Sequence, residues 1–178
     1  MRVITGTAKG CRLETLAGLD TRPTAERVKE AIFSAISFEI EGRRVLDLFA
    51  GSGQMGLEAL SRGAASCVFV DSSREAAQVV RRNIAATKLS ANATVLCREA
   101  LGFLQQSTER FDLVFLDPPY AAELAVSCLE ALSGRVASGG AVLCESDRRT
   151  ELPDTVGNLF VDRSYRYGRV AVRLYRCK

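Results

Sequence analysis

The chain has 178 residues, 47% hydrophobic and 25% charged, with no histidine and a formal net charge of +3. That is the size and balance of one globular domain able to bury a substantial core. No stretch of 18 apolar residues and no apolar leader region occurs, so neither a membrane span nor a secretory signal is expected, and a cytoplasmic location is.

The six cysteines, Cys11, Cys67, Cys97, Cys128, Cys144 and Cys177, form no C-x-x-C pair and mostly lie in apolar runs. They read as reduced core thiols, and no metal site is expected. Without histidine, proton handling near neutral pH falls to carboxylates, water or the substrate. Charge is uneven: residues 1–29 carry +3, residues 160–178 carry +5, and the middle carries −5. Basic flanks around an acidic centre suit a polyanionic partner, although solvated edge strands would look the same.

In chain order, residues 2–5 and 11–15 are strand-like around a turn at Thr7-Ala8-Lys9-Gly10. Thr24 is a candidate N-cap for a helix running to about Phe38, with Val28, Ala31, Ile32, Ala35 and Ile36 at helical spacing. Residues 1–40 are therefore expected to extend a core domain at 41–178 rather than to fold alone. Strands at 43–49, 66–71, 93–98, 111–117 and 140–146 alternate with helices at 54–62, 73–87, 100–106 and 122–133. That alternation predicts a doubly wound α/β fold with a mostly parallel sheet. Strands at Leu159–Val161 and Val170–Tyr175 follow with no helix between them, so a closing antiparallel hairpin is expected. The whole predicts a seven-stranded sheet of order 3-2-1-4-5-7-6.

Two stretches carry chemistry. Val45-Leu46-Asp47-Leu48-Phe49-Ala50-Gly51-Ser52-Gly53 reads as a buried strand, a glycine turn and the opening of a helix. Gly51, Gly53 and Gly56 spell G-x-G-x-x-G, which fits several nucleotide cofactors. Asp47, near the strand's end, would repel a pyrophosphate and attract the cationic groups of S-adenosylmethionine. Asp71 ends the second strand, where a carboxylate can hold ribose hydroxyls. Glu99-Ala100, after the third strand, suits either the adenine amine or a helix-terminal acid. Phe49 and Met55 either face the cofactor or belong to the core.

The second stretch is Asp117-Pro118-Pro119-Tyr120. Two prolines end the ladder and lead the chain away with a rigid backbone at the carboxyl edge of the sheet. In the expected strand order this edge shares a crevice with the glycine turn. A nucleobase amine is a poor nucleophile because its lone pair is delocalised into the ring. Two acceptors, the Asp117 carboxylate and the Pro118 carbonyl, can hold both N–H groups and localise that pair, while Tyr120 offers a stacking face. With a methyl donor already activated, positioning is most of the task.

These residues resemble class I S-adenosylmethionine-dependent methyltransferases acting on amino groups. Met-Arg-Val-Ile-x-Gly at the start, Thr21-Arg22-Pro23-Thr24 with Arg27 to Phe33, and Tyr-Gly ahead of Val-x-Leu-Tyr are narrower. Together they resemble the RsmD-like family, guanine-N2 methyltransferases of small-subunit ribosomal RNA. The resemblance implies a cofactor site at Asp47, Phe49, Ala50, Gly51, Ser52, Gly53, Met55, Asp71, Ser72, Glu99 and Ala100, releasing S-adenosylhomocysteine. It implies Asp117, Pro118 and Tyr120 at the target base, with RNA held by Arg2, Lys9, Arg22, Thr24 and Arg27. The partner expected is ribosomal RNA in a small-subunit assembly particle, met by a monomer. Gln54-Met55, Glu99 and Arg169 depart from the usual pattern. Adenine-N6 methylation, an NAD-dependent oxidoreductase and a non-catalytic RNA-binding factor are the alternatives.

Overall fold

The computed structural model describes residues 1–16, 23–119 and 122–178, and the side chains of 23–27 lie outside that description. The first strand, β1 (Arg44–Leu48), is buried from Val45 onward, as its apolar run requires. It is flanked by β2 (Ser66–Asp71), β3 (Ala93–Cys97), β4 (Phe111–Leu116) and β5 (Val136–Asp147), all parallel. The helices are α1 (Pro23–Ala35), α2 (Gln54–Ser61), α3 (Arg74–Thr87), α4 (Ala100–Gln106) and α5 (Ala122–Ser133). Three further strands follow: β6 (Thr155–Val156), β7 (Leu159–Tyr167) and β8 (Val170–Cys177). Strand order is β3-β2-β1-β4-β5-β8-β7-β6, with β8, β7 and β6 antiparallel to their neighbours.

The sheet therefore has eight strands, not seven. The addition, β6, is two residues long, too short to show an alternating pattern. Strand β5 begins at Val136, earlier than its apolar core suggests. The Ala137-Ser138-Gly139-Gly140 stretch, turn-like in composition, is absorbed by a register shift between Phe111 and Leu113. Helix α1 opens at Pro23, which suits the first helical position. Thr24 consequently sits inside the first turn rather than capping it.

Two cores sandwich the sheet. On one face α1, α2 and α3 pack with Val45, Phe69, Phe115 and Leu143, and Val3, Ala8 and Leu13 of the N-terminal hairpin join them. On the other, α4 and α5 cover Leu46, Leu48, Val114, Leu116 and Cys144. Among the described residues of the first 40, the hairpin and α1 thus share a core with the sheet. A buried charge network pins them: the Glu58 carboxylate accepts from Ile4 N–H (2.8 Å), Thr5 N–H (3.0 Å) and Arg62 Nε (2.8 Å). Lys29 Nζ lies 3.7 Å from that carboxylate and donates to the Arg2 carbonyl (2.8 Å).

Candidate active site

The carboxyl ends of β1, β2 and β4 build the site. After Leu48, Phe49 takes φ +68°, a left-handed conformation rare for a bulky side chain. Such strain persists only where surroundings enforce it, and it clusters at ligand sites. Here the Phe49 and Ala50 N–H groups both donate to the Val70 carbonyl at 3.0 Å. Gly53, at φ +77°, is the left-handed N-cap that turns the chain into α2. At Gly56 the requirement is space: a Cβ there would lie 2.3 Å from the Phe69 ring and 2.6 Å from Cys67 Sγ. The third glycine of the fingerprint thus seats α2 against β2.

Carboxylates hold this turn in shape. Asp71 accepts from Gly51 N–H and Ser73 N–H, both at 2.9 Å, and remains half-buried beside exposed Ser72. Asp47, expected to face an incoming cofactor, is only 4% exposed and accepts from Gly56 N–H at 2.9 Å. Its neighbours Leu46 and Leu48 point to the other face, so alternation aims Asp47 beneath α2. Burial first, and then the nearby Asp117 and Asp71 charges, push its pKa up to about 7 against the opposing Gly56 hydrogen bond. Sequence reasoning missed Asn83, 98% buried, whose side-chain amide donates to the Ser52 carbonyl (2.9 Å) and the Glu14 carbonyl (3.0 Å). It ties the turn, 31 positions away in sequence, to the N-terminal segment, 69 positions away. No local motif signals it.

Ala50 and Ser52 are buried, while Phe49 and Met55 are half-buried and pack partly on opposite cores. Glu99 is exposed and makes no capping hydrogen bond to α4, so its carboxylate is not committed to the helix that Ala100 opens.

On the acceptor side, Leu48 pairs with Leu116, so Asp117 emerges beside Phe49. Asp117 is exposed and Pro118 buried; Tyr120 lies outside the described residues. Though open to solvent, the Asp117 carboxyl is ringed by protein, and desolvation raises its pKa to about 6. Leu116 also pairs with Cys144, which places Glu145 beside Asp117. Glu145 rises to about 8, through desolvation first and then the Asp117 charge. The two titrate in sequence: Asp117 ionises while Glu145 is neutral, and Glu145 must then ionise beside an existing charge. Among the described residues no group donates a hydrogen bond to either carboxylate. Glu145 is a site residue the sequence reading missed, because its place depends on β5 lying next to β4.

The expected RNA-contact residues are spread out. Arg2 and Arg12 form a bridge and, with Met1 and Leu13, line a shallow recess of about 210 Å³. Met1 Sδ lies 4.0 Å from Ser52 Oγ, so this end of the hairpin adjoins the glycine turn. Lys9 belongs to the opposite tip, where Thr7 N–H donates to the Ser61 carbonyl at the far end of α2 (2.8 Å). Arg22 lies outside the described residues, and Thr24 and Arg27 are placed only by their backbone in α1. Among the described residues no helix is long and apolar enough to cross a membrane, and no group of three or more acids and cysteines could hold a metal.

A strained, glycine-lined turn between β1 and α2, an acid ending β2 and an Asp-Pro-Pro turn after β4 on one sheet edge define a class I S-adenosylmethionine-dependent methyltransferase. The uncommitted Glu99 and the half-buried Asp71 and Met55 fit that cofactor. The protein belongs to the RsmD-like family, described as conserved hypothetical protein 95, whose profile matches residues 1–176. It is 41% identical to Bacillus subtilis YlbH, proposed by name as an rRNA methyltransferase, over 99% of this chain and 98% of that one. It is 35% identical to the Escherichia coli ribosomal RNA small subunit methyltransferase D, over 99% of this chain and 89% of that one. Among solved structures, the Escherichia coli protein yhhF, proposed by name as a methyltransferase, superposes with a TM-score of 0.90 at 36% identity, covering 100% of this chain and 98% of that one.

Proposed function

We propose that this protein methylates the exocyclic N2 amine of one guanine in small-subunit ribosomal RNA, acting in the cytoplasm as a monomer on an assembling particle. The observation that carries this reading is the register Leu48↔Leu116, which brings Asp117 beside the strained turn at Phe49. The names of the relatives, ribosomal RNA methyltransferases, support the substrate.

The residues assigned to hold the cofactor are Phe49 to Gly53, Met55, Asp71, Ser72, Glu99 and Ala100, with Asp47 bracing the turn from beneath. When bound, S-adenosylmethionine supplies a methyl group activated by its sulfonium charge. Asp117 accepts one N–H of the guanine amine and the Pro118 carbonyl the other, which draws the nitrogen lone pair out of the ring and aims it. Formation of the N–C bond would break the methyl–sulfur bond and release S-adenosylhomocysteine as a neutral thioether, and the surplus proton of the amine would pass to Asp117. Tyr120 is assigned the base-stacking face, worth about 1–3 kcal/mol. RNA is held on the hairpin side by Arg2, Lys9, Arg22, Thr24 and Arg27.

The test is mass spectrometry of ribosomal RNA nucleosides from cells with and without the gene, followed by mapping of the missing group. Loss of one N2-methylguanosine, restored by purified enzyme on small-subunit particles, is expected. Loss of an N6-methyladenosine instead would move the acceptor to adenine, and no lost methyl group would overturn the substrate.

A further inference from the structure

The six basic residues near the carboxyl terminus form two groups. Arg173 pairs with Asp154, Arg176 with Glu39 and Asp162, Arg163 with Asp162, and Lys178 lies over the Phe160 ring. Arg166 and Arg169 have no carboxylate partner among the described residues, and neither do Arg148 and Arg149 at the end of β5. Arg148, Arg149 and Arg169 are exposed and, with Asp147, line one recess of about 460 Å³. The Arg148 N–H donates to the Arg169 carbonyl at 2.8 Å, which ties the end of β5 to the β7–β8 turn.

Strand register says where this lip lies. Glu145 pairs with Val172, and Val172 with Tyr165; one step further, Asp147 pairs with Val170, and Val170 with Tyr167. Asp117, Glu145, Val172 and Tyr165 therefore form a lateral row, with about 4.8 Å between strands. Tyr165 and Tyr167 are half-buried and stacked, centroids 6.4 Å apart with 14° between planes. They occupy the sheet face that carries Phe115 and Leu143. Two aromatic rings and three unpaired guanidinium groups thus continue the acceptor side of the cleft away from the cofactor turn.

We propose that this β5–β8–β7 edge is a landing strip for single-stranded RNA flanking the target nucleotide. Tyr165 and Tyr167 stack a neighbouring base, and Arg148, Arg149 and Arg169 hold its phosphates. Stacked rings beside a basic lip recognise unpaired strands whatever their sequence, because every base has a π face and every nucleotide a phosphate. Paired RNA would present only phosphates here. The inference rests on the RNA-methylation reading and adds a second grip to that of the N-terminal hairpin.

The test uses the full-length enzyme, a single-stranded RNA oligonucleotide, the same sequence as a duplex, and small-subunit particles lacking the methyl group. The triple variant Arg148→Ala, Arg149→Ala, Arg169→Ala should lower the slope of log affinity against log salt by about 2 for the single strand, at roughly 0.7 per lost phosphate contact. Tyr165→Leu with Tyr167→Leu, which keeps apolar bulk, should weaken single-strand binding about tenfold or more and raise KM on particles, with kcat unchanged. Arg110→Ala, at the opposite end of the sheet, should change neither. Melting temperature and S-adenosylhomocysteine affinity, equal to wild type, report intact folding. If wild type methylates particles and both variants match it in KM and salt slope, the landing strip is wrong and the enzyme reading stands. A variant that binds single strands normally but loses duplex binding would make the lip a duplex clamp and also overturn the proposal. If wild type methylates no RNA, the failure belongs to the enzyme reading.

Discussion

The two sides of the cleft differ in how their polar groups are satisfied. On the cofactor side the carboxylates are engaged within the protein: Asp47 with Gly56 N–H, and Asp71 with Gly51 and Ser73 N–H. On the acceptor side Asp117 and Glu145 accept no hydrogen bond from any described residue, and both carboxyls titrate above their ordinary range. One side is a preformed seat. The other is a pair of acceptors waiting for donors, and a nucleobase amine with its ring N–H is a group of donors. On the proposed assignment, preorganisation belongs to the cofactor side, and substrate completes the other.

The contrast can be broken at four points. Asp117→Ala removes an acceptor that nothing else replaces; kcat should fall by about 100-fold or more while S-adenosylhomocysteine affinity, measured by calorimetry, stays within about threefold. A parallel loss of cofactor affinity would erase the distinction between the sides. Gly56→Ala attacks the seat instead: its Cβ would collide with Phe69 and Cys67. A destabilisation of about 1–3 kcal/mol is expected, read as a lower melting temperature together with weaker cofactor binding.

The third point is pH. Asp117 must be ionised to accept from the amine, so kcat/KM should decline as pH falls through about 6. Stability runs the other way for Asp47, whose folded pKa of about 7 lies above the ordinary aspartate value of 3.8. The folded state holds the proton more tightly, so this stabilisation is present at low pH and is lost as pH rises towards about 7. Asp47→Asn should flatten that slope in denaturant titrations. Smallest is Glu145→Gln, which mimics the neutral acid present when Asp117 titrates. The acidic limb should stay near 6, while a change in rate near pH 8 in wild type should vanish.

Most of the fold is legible in the sequence because each βα step carries its own signal, an apolar run followed by helical spacing. The glycine turn and the Asp-Pro-Pro turn are legible for the same reason, being local. What escapes is lateral. Glu145 sits at the end of an apolar run and means nothing until β5 is known to lie beside β4. Asn83 looks like any polar residue on α3 until the N-terminal segment folds over it. Asp47 was legible as a strand-end acid, but its direction follows from which face Leu46 and Leu48 take. The basic flanks were legible as charge, whereas their division into paired and unpaired arginines depends on contacts such as Arg176 with Glu39, 137 positions apart.

The Glu58 network makes the amino-terminal arm part of the chassis. Its carboxylate is fully enclosed and is neutralised by cations from α1 and α2 and by two backbone donors of the arm. Peeling the arm away would strip this carboxylate of both backbone donors, a loss of about 1.5–3 kcal/mol for each hydrogen bond to a charged group. Arg2 and Arg12 therefore travel with α2, whose other end forms the cofactor turn. A nucleic acid held by the arm is held in register with the methyl donor, and no hinge motion is needed to align them.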